Sequence, residues 1–377
     1  MREYQVRWSD EEVAALLAKV RSYRHPKTPQ GDRWQYGCDP DFLKSLCAYW
    51  IDGFDWRRAV AELNRYPQIL VSVEGLDLHA VHVVGEAAGR RPLLLSHGWP
   101  GSIHEFWEVI EPLAFPSRHG GRAEDAFDLV IPSLPGFGFS AKPPAPLGAR
   151  TTARLFDGLM QALGYTRYLA QGGDWGAGIS AWLALEHAPS VRAIHLNFML
   201  VQPQAAPQTD EERAWQKARD AAQGALGAYV TVQATKPLSL AYAMADNPVA
   251  QAAWIVERFH DWSDRRARAF ADIFPRDRLL TNIMIYLMND AFVSSIYYYA
   301  AAVTEGVRQM PPGRRVEIPT AFAAFPDPRL PPPPRSFIER GYALTRYTQP
   351  PRGGHFAAME APDLFVADLR AWARTLG

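Results

Sequence analysis

Cysteine is scarce: Cys38 and Cys47 are the only two in 377 residues, both near the amino end. A pair so placed can neither staple a fold of this size nor build a metal cluster, and a reducing setting follows. Charge of one sign is also missing, since 40 Lys+Arg against 40 Asp+Glu leave a formal net charge of +0. The chain therefore has no global electrostatic reason to bind nucleic acid or an anionic membrane surface. No apolar run approaches the ~18 residues needed to span a bilayer. The most hydrophobic stretch, Ala291 to Thr304, is broken by serines and tyrosines. The opening residues, including Arg2, Glu3 and Arg7, are too charged for a secretory leader. Glycine and proline follow no fibrous period, and 48% hydrophobic against 21% charged residues is a globular balance. The expectation is a cytoplasmic protein with no membrane or nucleic-acid partner, long enough to bury a site.

What is present has a clear order. Ser9-Asp10-Glu11-Glu12 is a capping box opening a helix over Val13 to Val20, and a second helical pattern rich in aromatics runs from about Asp39 to Leu63. Residues 1–66 thus read as a helical arm. Gln68 to Glu74 and Leu76 to Val84 then alternate around Glu74-Gly75, which is hairpin chemistry. Short apolar runs at Pro92–Ser96, Phe127–Leu134, Tyr168–Gln171 and Val191–Phe198 alternate with helical patterns such as Thr151 to Leu163. Continuous apolar strands between helices predict a buried, mostly parallel sheet with helices on both faces, an α/β fold. From 204 to 310 the segment reads as helices alone, including a basic stretch Arg265-Arg266-Ala267-Arg268 taken as a solvated helix face. Strand runs return at Val316–Phe325 and Tyr342–Thr348, followed by an amphipathic helix from Pro362 to Thr375. The pattern is a core (67–203 and 311–377) interrupted by a helical cap (204–310).

Parallel sheets present chemistry at the carboxyl ends of their strands, and three such ends here are unusual. Gly172-Gly173-Asp174-Trp175-Gly176 follows the strand Tyr168–Gln171 and has the small-x-nucleophile-x-small spacing of a tight strand-to-helix elbow. A carboxylate at its centre can attack an sp³ carbon and form an ester. Taken alone, Asp174 could equally be a helix cap after a glycine turn. His97-Gly98-Trp99-Pro100-Gly101-Ser102 can aim the Trp99 N–H, with the Trp175 N–H as second donor, at a developing oxyanion. It could also be a plain turn, and its Trp99–Pro100 bond is a candidate for cis. Gly353-Gly354-His355-Phe356 follows the last strand, and the order nucleophile, acid, histidine is that of a hydrolase triad.

Together these motifs make the chain resemble an epoxide hydrolase of the α/β-hydrolase fold, in the branch of the microsomal and juvenile-hormone enzymes. Leu196-Asn197, Thr281-Asn282-Ile283-Met284 and Arg352-Gly353-Gly354-His355-Phe356-Ala357-Ala358 match as well, and the likeness spans essentially the whole chain. It implies a form without the anchor helix of membrane-bound relatives, acting on a small apolar epoxide with water, with no cofactor and no metal; a homodimer is compatible with it. It also implies two cap tyrosines that hydrogen-bond the epoxide oxygen. One falls at Tyr229, preceded by Ala228 where relatives often have glycine. The other lies in Ser294-Ser295-Ile296-Tyr297-Tyr298-Tyr299, where register favours Tyr299 and leaves Tyr297 and Tyr298 as packed aromatics. Such acidic O–H donors suit the chemistry, because an opened epoxide leaves as an alkoxide.

Enzymes of this fold carry the triad acid after one of two strands. The run Leu196 to Pro203 holds no carboxylate, and between Thr320 and Ile338 the only one is Asp327, in Phe325-Pro326-Asp327-Pro328. Relatives usually place it one position further on, at Pro328 here, so Asp327 requires a shifted loop; Glu305 or another cap carboxylate is the alternative. Two other functions fit parts of the pattern. A haloalkane dehalogenase shares the aspartate nucleophile but commonly has Asn where this chain has Trp99, and has no use for paired tyrosines. A silent hydrolase-fold binding protein would not need the nucleophile and histidine.

Overall fold

A computed structural model of the chain describes residues 1–28 and 34–377. Among the described residues nine strands form one sheet: β1 (Arg2–Tyr4), β2 (Gln68–Val73), β3 (Leu76–Val83), β4 (Arg91–Ser96), β5 (Phe127–Pro132), β6 (Tyr168–Gly172), β7 (Val191–Leu196), β8 (Val316–Ala323) and β9 (Tyr342–Thr348). Their order is β1-β2-β3-β5-β4-β6-β7-β8-β9. The strands from β5 to β9 along that order pair in parallel, and β1, β2 and β3 add an antiparallel edge. Leu93, Leu94 and Leu95 of β4 are fully buried on both faces, as a sheet covered by helices on each side requires. This is the expected α/β-hydrolase fold. At the β2–β3 turn, Glu74 (φ 51°) and Gly75 (φ 81°) both take the left-handed backbone that a two-residue hairpin needs.

Three local readings are corrected. The arm is not wholly helical, because Arg2–Tyr4 pairs with β2 as an edge strand. The pattern from Asp39 to Leu63 is two helices, Pro40–Asp52 and Trp56–Leu63, since the first ends at Gly53 and Asp55 caps the second through the Arg58 N–H. Arg265 to Arg268 is an exposed loop, not a helix; Arg266 pairs with Asp264. The capping box at Ser9 forms both of its hydrogen bonds, with Glu12 N–H donating to Ser9 Oγ at 3.2 Å and Ser9 N–H to Glu12 Oε2 at 3.0 Å.

Between β7 and β8 the chain makes a helical excursion running from Asp210–Leu226 to Ala291–Thr304. Its two ends are tied: Gln202 N–H donates to Arg308 O at 3.0 Å, and Met310 N–H to Gln202 O at 2.9 Å. The arm packs on both parts. Trp107 donates its indole N–H to Glu62 O, and Tyr49 donates to Asp277 Oδ1 of the excursion at 2.6 Å. The site lies where the excursion covers the carboxyl ends of β4, β6 and β8.

Candidate active site

The elbow is built by close approach. A Cβ at Gly176 would stand 1.9 Å from Ser96 O, and one at Gly172 2.0 Å from Gly176 O, so only glycine lets the helix Asp174–Glu186 start against β4 and β6. Asp174 itself sits at φ 46°, a left-handed conformation that costs a non-glycine residue about 1–3 kcal/mol and is held by its surroundings. That backbone lifts its carboxylate off the end of β6. Trp99 N–H donates to Asp174 Oδ1 at 2.9 Å, and Trp175 N–H also bonds the carboxylate. Burial works against the charged form, yet His355 and these two N–H groups outweigh it and hold Asp174 below the ordinary aspartate range.

The Trp99 turn is braced from two sides. Leu134 N–H donates to His97 Nε2 at 3.3 Å, which leaves the His97 proton on Nδ1, 3.0 Å from Gly98 O. Burial drops this imidazole to about 4, so it stays neutral. From the excursion, Asn282 Nδ2 donates to Pro100 O at 2.8 Å and Tyr286 Oη to Gly101 O at 2.7 Å, while Ser102 Oγ donates to Asn282 Oδ1. The Trp99–Pro100 bond is cis.

His355 reaches the nucleophile from the loop after β9. Its Nδ1 is 2.7 Å from Asp327 Oδ2, and its Nε2 faces Asp174 Oδ2 at 3.3 Å. Burial favours the neutral ring, but Asp327 and Asp174 more than reverse this and raise it well above its usual value. Asp327 Oδ1 accepts the N–H groups of Arg329 at 2.7 Å and Leu330 at 3.3 Å, a short turn that aims Oδ2 at the ring. Glu305, the alternative acid, is engaged elsewhere: it accepts from Gly148 N–H and Thr151 Oγ1 and so caps the helix Ala149–Ala162.

Above the nucleophile is a cavity of about 130 Å³ lined by Trp175, Phe198, Met199, Tyr229 and Tyr299 as well as Asp174. The Tyr229 ring stacks on Trp99 at 5.4 Å, and Tyr299 meets Trp175 edge-on at 4.8 Å. Of the three consecutive tyrosines, Tyr298 is tied to Thr152 Oγ1 at 2.7 Å, and Tyr297 lines a separate groove beside Pro143. Tyr299 alone of the three lines the cavity with Asp174. A roomier cleft of about 400 Å³ between Tyr49, Glu108 and Arg278 does not include Asp174 or His355, so size does not locate the chemistry here.

Residues 1–106 match the family model for the epoxide hydrolase N terminus, and residues 91–218 that for the alpha/beta hydrolase fold. Epoxide hydrolase 1 of Oryctolagus cuniculus is 34% identical over 98% of this chain and 88% of its own length. The chain belongs to the epoxide hydrolase family. Among solved structures, Aspergillus niger epoxide hydrolase aligns at TM-score 0.85 and 28% identity over 100% of this chain and 96% of that one. The Bombyx mori juvenile hormone epoxide hydrolase aligns at TM-score 0.88 and 26% identity, over 100% and 94%.

This family member also holds acids that the motifs did not flag. Glu360 accepts the N–H groups of Gly354 and Phe356 at 2.9 Å and of Asp264 at 2.7 Å, fixing the His355 loop, and burial pushes it up to about 7. Glu105, half-buried at the wall of the roomier cleft, accepts the Gly98 N–H, and desolvation pushes it up to about 8. Glu360 could have been noticed from its place at the end of the His355 motif; nothing local marks Glu105.

Proposed function

We propose that this site opens an epoxide and hydrolyses the resulting ester, giving a vicinal diol. Asp174 Oδ2 attacks an oxirane carbon while the breaking C–O bond delivers its electron pair to an oxygen held by Tyr229 and Tyr299. One phenol gives that oxygen its proton, and a glycol monoester of Asp174 results. His355 then takes a proton from water, using Nε2, while Asp327 stabilises the imidazolium. The hydroxide adds to the ester carbonyl, the tetrahedral oxyanion rests on the Trp99 and Trp175 N–H groups, and collapse releases the diol.

The observation that carries the reading is the split of the Asp174 carboxylate: Oδ1 already lies on the Trp99 N–H at 2.9 Å, while Oδ2 is the oxygen facing His355. Each oxygen is thus placed for one role. Phe198, Met199, Leu200 and Val230 give the cavity one apolar side, which supports a small apolar epoxide as substrate with water as co-reactant, while Arg219, Arg308 and three glutamines line the other. A cytoplasmic setting and the division of the chain at 66, 203 and 310 belong to the same proposal. Among the described residues no single helix is long and apolar enough to cross a membrane, and the Gln202–Gln309 pairing supports the cap boundaries.

Single-turnover hydrolysis of styrene oxide in ¹⁸O-water tests the ester. The first diol released should be unlabelled and the label should appear in Asp174; label in the first diol would mean direct attack by water. A bromoalkane assayed for halide release distinguishes dehalogenase chemistry, and failure of both assays would point to a silent binding protein.

A further inference from the structure

Two residues beyond the triad acid lies a cation that the reaction scheme above does not use. Arg329 is 4% exposed, and among the described residues no carboxylate oxygen comes within 4.0 Å of its guanidinium. Its Nη2 donates to Tyr229 Oη at 3.2 Å and to Gln223 Oε1 at 3.3 Å; its Nε and Nη1 are buried with no partner. The guanidinium lies 5.4 Å from the Tyr229 ring and 5.5 Å from that of Trp262. The Asp327 carboxylate acts on this cation only at longer range, and a buried cation with no anion in contact is costly in the resting protein, so an anion that forms against it during turnover would be favoured. Tyr229 can supply one. With an oxygen lone pair committed to Arg329, its own O–H remains free for the cavity.

Tyr299 has a different environment. It is buried among Tyr229, Trp99 and Trp175 and makes no hydrogen bond to Arg329, and burial together with Tyr229 and Asp174 outweighs the longer-range pull of Arg329 and raises its phenol well above the usual value. Other charged groups around Tyr229 are Arg258, 4.9 Å from the ring and already paired with Glu257, and Asp174, Arg219 and Arg308 on the cavity wall, with Asp327 acting on Arg329 from two residues away.

Resting on the reading of the two tyrosines given above, we propose that Arg329 makes Tyr229 the proton donor of ring opening, while Tyr299 keeps its proton and only hydrogen-bonds the oxygen. In the first step the Asp174 Oδ2–carbon bond forms, the epoxide C–O bond breaks, and the Tyr229 proton moves to the alkoxide. A hydroxy-ester remains, with a Tyr229 phenolate against Arg329. In the second step water supplies hydroxide to the ester and a proton to His355. That proton returns through solvent to the phenolate and restores the resting enzyme. Arg329 acts through Tyr229 and is a positioning residue.

A double-mutant cycle tests this, reading the single-turnover alkylation rate by tryptophan fluorescence with styrene oxide. Arg329→Met should slow alkylation by about 10- to 100-fold, the scale of a lost charge-assisted hydrogen bond. In a Tyr229→Phe background it should change the rate less than about twofold, but in a Tyr299→Phe background it should keep its full effect. Arg329→Lys should restore part of the rate, and carries the test if the Met variant fails to fold. An equal effect of Arg329 substitution with and without the Tyr229 hydroxyl, or no rescue by lysine, would overturn the proposal. Full activity of Tyr229→Phe on its own would instead sink the underlying reading of the tyrosines, and this inference with it.

Discussion

Replacing Asp327 by Asn should separate the two half-reactions. Asp327 uses both oxygens: Oδ1 accepts two backbone N–H groups and Oδ2 meets His355 Nδ1 at 2.7 Å. An asparagine must place its carbonyl where Oδ1 was, because an NH₂ there would face two N–H donors. Its NH₂ then points at His355 Nδ1 and forces the ring proton onto Nε2, the nitrogen that must act as base. Losing the charge-assisted bond alone costs about 1.5–3 kcal/mol, roughly 10- to 150-fold. The wrong tautomer takes the loss toward ~10⁴-fold, the scale known for the same change in a serine triad. Ring opening needs no base, since Asp174 is itself the nucleophile, and should slow less than about tenfold. Intact-protein mass spectrometry should therefore show the enzyme accumulating as enzyme plus epoxide. Asp327→Ala removes the competing amide and should hydrolyse the ester faster than the Asn variant. Ester hydrolysis by Asp327→Asn within about tenfold of the parent enzyme would refute the tautomer argument and the assignment of the acid.

Two further changes probe the geometry. A Cβ at Gly98 would lie 2.3 Å from Asp174 Oδ1, so Gly98→Ala should displace the carboxylate and lower the alkylation rate by about 10²-fold, with folding checked by thermal melting. Glu105 is pushed up to about 8 in the folded chain, whereas an unfolded glutamate ionises near 4.3. Between those values the unfolded state binds fewer protons, so stability falls as pH rises. The melting temperature should decline from pH 5 to pH 8, and Glu105→Gln should flatten part of that slope, with the raised Glu360 and His355 supplying the rest; an unchanged slope would show that Glu105 contributes none of it.

That Asp174 and His355 come together was legible because each sits in a short glycine-bearing motif whose geometry is local. Asp327 emerged by elimination, despite Pro328 occupying the usual place, since the short turn through Arg329 and Leu330 redirects its side chain. Arg329, Glu105 and the Asn282–Tyr286 brace were not legible as site residues. Arg329 and the brace depend on contacts across 100 or more positions of sequence, set only when the excursion folds onto the sheet, and Glu105 on charges brought to it by the fold, Asp174 and His355 among them. The edge strand at Arg2–Tyr4 was missed because three residues carry no periodicity and pair only where β2 offers an open edge.

The helix Arg276–Met288 is fastened to the Trp99 turn by buried bonds from Asn282 and Tyr286. It is therefore frame rather than shutter: swinging it away would dismantle the oxyanion donors each time a substrate entered. The other end of the excursion, where Asp210–Leu226 and Ala228–Thr235 meet at Gly227, carries Tyr229 into the cavity and touches the Trp99 turn through ring stacking. A guest that displaced that one phenol would leave the bracing beneath it intact.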